Sequence, residues 1–146
     1  MTTINHTAVA GIVAMAVVNE EISVKVVAVL LLALSHLVFD AIPHEHFYKF
    51  EQLRETFLGA IIELGVGLLI LPVLVWHFTG IDPIWLAICV ISSSLVDFLV
   101  VAKISAVGRL NMWAHWWDGK VSRFWVIIFE IGQTTILLMV LGRQIF

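Results

Sequence analysis

Charged side chains and cysteine are both scarce in this chain, and each scarcity excludes a class of protein. Charged residues make up 13% of the 146 residues, against about a quarter in an ordinary soluble domain. The single cysteine, Cys89, excludes an internal disulfide and a cysteine-based metal cluster. The formal net charge of -3 offers no basic footprint for nucleic acid. Because no Lys or Arg precedes Lys25, we expect no cleavable signal sequence.

Apolar residues dominate instead, at 61% of the chain with a mean hydropathy of +1.04. This composition indicates an integral membrane protein that forms one domain over residues 1–146. The apolar runs predict an all-α fold, a polytopic membrane helical bundle with four spanning helices and a shorter N-terminal helix. The predicted helices cover residues 5–18, 22–42, 56–78, 84–102 and 121–141. Asn5 or Thr3 is the candidate N-cap of the first helix, which we expect to pair as a hairpin with the second. A tight turn is predicted over residues 79–83.

Basic residues are unevenly distributed over the predicted loops. If the last four helices span, the loops before the third and fifth lie on one side, which holds six basic residues against two on the other. The positive-inside rule then places loops 43–55 and 103–120 in the cytoplasm. The basic residues of that side are Lys49, Arg54, Lys103, Arg109, Lys120 and Arg123, and those of the other are Lys25 and Arg143.

One stretch, residues 35–46, carries the most specific chemical pattern. His36, Asp40 and His44 are spaced four apart, which stacks their side chains on one helix face. Histidine and carboxylate side chains at that spacing can hold one divalent metal ion. Pro43 predicts a helix end or kink, so His44 is expected on the exit turn. Alternatively, His36 is a hydrogen-bonded packing residue, or the polar side chains reach the lipid headgroups.

Four more ionisable residues are predicted near the same interface: Glu63, Asp97, His115 and His6. From the predicted topology, all lie within roughly 10 Å of the cytoplasmic side, at 1.5 Å per helical residue. Because these residues are expected at a similar depth, the sequence predicts that they form one polar pocket. Asp97 needs a cation or a hydrogen-bond partner in its apolar helix.

Each of these residues has a structural alternative. Glu63 could pair with a basic loop residue, His6 could be a solvated end residue, and His115 could belong to the interfacial aromatic belt. Glu130 is predicted to join interhelical hydrogen bonds near mid-membrane. His77 is predicted on the side opposite the pocket.

At these residues the chain resembles the LexA-regulated, membrane-bound metal-dependent hydrolases of the bacterial inner membrane. A more distant similarity is to zinc-dependent phospholipase C, which also uses His-x-x-x-Asp metal ligands. Val96 and Phe98 depart from the family pattern, which has a Pro before the later Asp and often a second Asp after it. The likeness is carried by the segment 5–11 that begins Asn5-His6, by His36 and Asp40 with the following Pro43-His44, by Asp97 after Ser94, and by His115.

The residues and the resemblance together imply a metal-dependent hydrolase at the cytoplasmic face of a bacterial inner membrane. A site at headgroup depth favours a lipid phosphoester or another amphipathic substrate. Zinc suits the histidine and carboxylate ligands best, and manganese or iron also fits. The expected metal ligands are His36, Asp40, His44, Asp97 and His6, and the expected catalytic acid or base groups are Asp97, His115 and Glu63.

The alternative is a non-enzymatic membrane subunit that uses the same cluster for structural metal binding or proton relay. Its partners would be other membrane proteins or further copies of this chain. An open coordination position facing a headgroup-sized cavity would favour the enzyme.

Overall fold

The computed structural model describes residues 3–41, 65–96, 99 and 120–146, and within these ranges all regular structure is helical. The all-α prediction is therefore confirmed. The helices are α1 (Thr3–Ala16), α2 (Ile22–Asp40), α3 (Gly65–Thr79), α4 (Pro83–Ser93) and α5 (Arg123–Ile145).

The turn between α3 and α4 follows the prediction. Gly80 ends α3 in the left-handed region, with φ 64°, and its N–H donates to the Trp76 carbonyl at 2.9 Å. Glycine adopts this conformation without the steric cost that a Cβ brings. Asp82 then caps α4, because its side chain accepts from the Ile84 N–H at 2.8 Å. The result is a short, fixed reversal that sets α4 back against the bundle.

The first half of α3 is π-helical over Gly65–Ile70 and becomes α-helical at Leu71. Pro72 is the second residue of the α-helical part. Because Pro72 has no N–H, it cannot complete the α-helical ladder to the preceding turn, and a widened turn is a common accommodation.

Helix α1 lies at the centre of the described bundle. It packs against each of the other four helices, extensively against α3, α4 and α5 and least against α2, so it is more than one arm of the expected hairpin. Its buried positions run from Asn5 to Gly11 and include Ala14. Small side chains allow this close approach: a Cβ on Gly11 would lie 3.2 Å from Leu141 Cδ1 and 3.4 Å from Val75 Cγ2.

Contacts between the helices fix their directions. Thr3 lies against Gly67 at the start of α3, and Asn5 bonds Glu130 in α5, so α1, α3 and α5 run the same way. The Trp85 indole N–H donates to the Ala14 carbonyl at 3.1 Å, so α4 runs the opposite way. We call the end where α1, α3 and α5 begin the polar end, because the buried polar residues of α1, α2 and α5 cluster there. These residues are Asn5, His6, Thr7, His36 and Glu130.

In the described part of the chain, one helix is long and apolar enough to cross a membrane, Phe124–Ile145, with a hydropathy of 2.0 over 22 residues. The other apolar helices there are shorter, and the predicted spans 56–78 and 84–102 lie partly outside the described residues. By length and composition, the described residues therefore give one candidate span where the sequence predicted four.

Candidate functional site

Two of the predicted metal ligands contact each other in the core: His6 lies near the start of α1 and His36 near the end of α2. The imidazole rings of His6 and His36 stack with their centroids 4.4 Å apart and their planes within 2°. Both are buried, with exposed fractions of 1% and 0%. The sequence predicted that both lie near one level, and the fold places them face to face.

The position of His36 follows from a buried stripe along α2. Ala28, Leu32 and His36 are all buried and are spaced four residues apart, which places them on one helix face. The backbone of α2 remains helical through Asp40, so Asp40 follows His36 by about one turn, as predicted. The side chain of Asp40 lies outside the described part of the structure.

His6 is positioned by the first two turns of α1. Asn5 Nδ2 donates to Glu130 Oε1 at 2.9 Å, and both residues are buried. Thr134 Oγ1 contributes a weaker bond to the same oxygen at 3.3 Å. The prediction that Glu130 takes part in interhelical hydrogen bonds is confirmed. Asn5 as N-cap is wrong: α1 begins at Thr3, and the amide is used between helices instead.

On the other side of the pair, α4 is tied to α2. Ser92 Oγ donates to the Val29 carbonyl at 2.6 Å, and Ser93, which is fully buried, bonds within its own helix to the Val90 carbonyl. Serine hydroxyls that bond a backbone carbonyl across or along helices are a common way to hold apolar helices together. The bond fixes the lateral position of α2, and with it His36.

The remaining predicted site residues lie outside the described part of the chain, so their roles stay predictions: His44, Glu63, Asp97 and His115. Val96, the residue before Asp97, is buried. His77 is exposed near the end of α3, opposite the polar end, as predicted.

The described residues fit a metal site in part. Neutral imidazole is a common ligand for zinc and other transition metals, and the stack supplies ring nitrogens from two helices. Two imidazolium cations at this spacing would repel each other, whereas two neutral rings would not. Within residues 3–41, 65–96, 99 and 120–146, no three His, Cys, Asp or Glu side chains form a group that could hold a metal ion. A complete site would therefore need at least one ligand from elsewhere in the chain.

The sequence did not single out Asn5 as a site residue. A polar residue directly before His6 in an otherwise apolar segment was the available signal, but nothing in its spacing identifies Glu130 as its partner across 125 positions.

No protein-family model, no curated protein and no solved structure matches this chain.

Proposed function

We propose that this chain is a metal-dependent hydrolase embedded in the bacterial inner membrane, acting on a lipid phosphoester at the cytoplasmic interface. The observation that carries the proposal is the His6–His36 stack. Two residues singled out as ligands for separate reasons lie in direct contact at the polar end of the core. The resemblance to the LexA-regulated membrane hydrolases supports the same assignment.

The distribution of polarity supports a multi-pass bundle with four spanning helices. Large apolar side chains of α2 face outward, among them Leu30, Leu31 and Leu34 at 59–60% exposed. In water, each would forgo about 1–2 kcal/mol of burial free energy, which is roughly 60% of the value for a fully buried leucine. The polar residues Asn5 and His36 are instead fully buried. Lipid as the surrounding solvent favours an apolar exterior and internally paired polar groups.

In the proposed site, His6, His36 and Asp40 would bind a divalent metal, with His44 and Asp97 completing the set. Zinc is the expected ion, and manganese or iron also suits these ligands. Such a metal supplies Lewis acidity and activates water for attack on a phosphoester. His115 and Glu63 are the proposed acid or base groups. The Asn5–Glu130 bond would hold the first turns of α1, and therefore the orientation of His6.

The first test measures metal bound to the purified protein by elemental analysis. We expect His36→Ala and Asp40→Ala to lose the metal that the wild type holds, while far-UV circular dichroism shows an unchanged helical content. His77→Ala is the matched control, because this exposed histidine at the opposite end should leave metal content unchanged. Wild-type metal content in both site variants would refute the ligand assignment.

The same preparations separate metal binding from turnover, measured as release of a phosphorylated headgroup from phospholipid in mixed micelles. Asp97→Asn should keep the fold but weaken metal binding or abolish release. Asp82→Asn should change neither, because Asp82 lies at the opposite end and asparagine is an equally good helix cap. If Asp97→Asn behaves like Asp82→Asn, the assignment of Asp97 is wrong.

The second candidate function is a non-enzymatic membrane subunit that uses the cluster for structural metal binding or proton relay. The exposed apolar faces of α2 and α5 favour it, because a partner helix could cover them. A membrane partner that copurifies at fixed stoichiometry in mild detergent, with metal bound and no turnover, would favour this subunit over the enzyme.

A further inference from the structure

A groove of about 380 Å³ lies between α3 and α4, on the opposite flank of α4 from the Ser92–Val29 bond. This volume lies within the usual range of ligand pockets. Each wall is a stripe of side chains at a spacing of four, so the groove runs along the helices for about 12 Å. The α3 stripe comprises Leu68, Pro72 and Trp76, and the α4 stripe comprises Leu86, Val90 and Ser94.

The groove has one polar feature, and it lies at one end. Because α3 and α4 run in opposite directions, Leu68 and Ser94 lie towards the polar end of the bundle, and Trp76 lies at the other. Ser94 is 6% exposed, and its hydroxyl has no hydrogen-bond partner among the described residues. By contrast, the hydroxyls of the neighbouring Ser92 and Ser93 both donate hydrogen bonds to backbone carbonyls. A buried hydroxyl without a partner costs free energy, and this one is in the wall of a cavity.

We propose that this groove binds an acyl chain of the phospholipid substrate, with the Ser94 hydroxyl donating to an ester carbonyl of that lipid. The inference rests on the proposed function and names where its substrate is held. A linear apolar groove parallel to the helix axes, with one hydrogen-bonding group at one end, matches an acyl chain joined to an ester. Ser94 lies towards the polar end, as do His6 and His36, so an ester held at Ser94 would put the phosphoester towards the proposed metal site.

The groove also opens on the outer apolar surface, since Val73 and Ile91 on its rim are more than half exposed. A lipid could therefore enter sideways from the bilayer without a displacement of either helix.

The experiment measures binding of phosphatidylglycerol with brominated acyl chains to lipid-depleted protein in detergent micelles, by quenching of tryptophan fluorescence. Trp76 lies in the groove wall, and its share of the signal is the difference between wild type and Trp76→Phe. We expect quenching that saturates at about one lipid per protein and is mostly lost in Trp76→Phe.

Two variants change the groove itself. Ala87→Phe should fill it and abolish saturable quenching, whereas Ile88→Phe, one residue further along α4 and outside the groove, should not. Ser94→Ala should weaken lipid binding by roughly two- to tenfold, the loss of one hydrogen bond. Far-UV circular dichroism and metal content, both unchanged, would show that each variant is folded.

Quenching that rises linearly with lipid mole fraction and is the same in Ala87→Phe would overturn the proposal, because it would show bulk lipid contact only. If the protein forms a dimer and quenching is lost at the same time, the lipid proposal would also be overturned, because a second copy of the chain would then occupy the groove. His36→Ala separates the two proposals: it should lose metal and turnover but retain saturable lipid binding. Saturable binding in a wild-type protein that purifies without metal and shows no turnover would support the groove and refute the hydrolase.

Discussion

The buried bond between Asn5 and Glu130 gives the sharpest energetic prediction. Asn5→Leu keeps the number and branching of the side-chain heavy atoms but removes the donor that lies 2.9 Å from Glu130 Oε1. Thr134 Oγ1 also donates to that oxygen, at 3.3 Å. We therefore expect Asn5→Leu to destabilise the bundle by about 2 kcal/mol, because a buried carboxyl loses a hydrogen bond.

Replacing both partners should restore much of that loss. In Asn5→Leu with Glu130→Met, neither side chain carries an unmet polar group, so the double variant should be less destabilised than Asn5→Leu alone. The coupling energy should be about 1 kcal/mol, within the range for polar pairs in membrane bundles, where cycles average roughly 0.6 kcal/mol and reach roughly 1.7 kcal/mol. Because Asn5 is fully buried, with an exposed fraction of 0%, we expect the coupling energy of this pair to be above that average.

The assay is unfolding in mixed micelles with increasing dodecyl sulfate, followed by far-UV circular dichroism for the wild type, two single variants and the double variant. Asp82→Asn is the control and should stay within about 0.5 kcal/mol of wild type, because it keeps an exposed helix cap. If the two single effects add to within about 0.3 kcal/mol, the bond does not contribute and the reasoning is refuted.

Two further predictions concern packing and topology. Gly67→Ala should destabilise the bundle by about 1–3 kcal/mol, because the new Cβ would lie 2.9 Å from the Thr3 carbonyl carbon. Gly65→Ala is the control in the same unfolding assay, because a Cβ at that position would have nothing within 4 Å. Lys120 and Arg143 are exposed near opposite ends of α5, so cysteines placed at these positions should react differently with an impermeant thiol reagent added to intact cells. We expect labelling at position 143 alone. Labelling at position 120 from outside would show that the predicted topology is reversed.

Some helix boundaries could be predicted because breaks in the apolar runs are chemically explicit, but the last helix continues to Ile145, beyond its predicted end at 141. The predicted second helix, 22–42, matches Ile22–Asp40, and Asp82 with Pro83 marks the start of α4 as expected. The central position of α1 could not be predicted from an amphipathic stripe, since its segment is small and apolar on nearly every face. The signal that was present lay in side-chain size: Ala8, Ala10 and Gly11 are all buried where helices approach closely.

From the sequence, the candidate site could be predicted only in one respect: its residues were expected to lie at a similar distance from one membrane interface. A spacing of four places His36 and Asp40 on one face of α2, but it does not determine which helix that face meets. That choice depends on how Ala28 and Leu32 pack further up the same stripe, which is a property of the whole bundle. The stack of His36 on His6 and the pairing of Asn5 with Glu130 therefore emerge only from the tertiary structure.

The chemistry of the polar end also bears on whether the histidine pair serves packing alone. Asn5 with Glu130, and Ser92 with the Val29 carbonyl, each join a donor to an acceptor, which is how polar groups hold helices together. Two stacked imidazoles make a ring contact that two phenylalanines would also make, but they add four ring nitrogens that can form hydrogen bonds or bind a metal. Under the proposed function, a divalent cation shared with carboxylates would bind to some of these nitrogens and would also compensate the charge of nearby acids. Packing alone accounts for the burial of His6 and His36, and the metal content of His36→Ala tests whether the pair also binds a ligand.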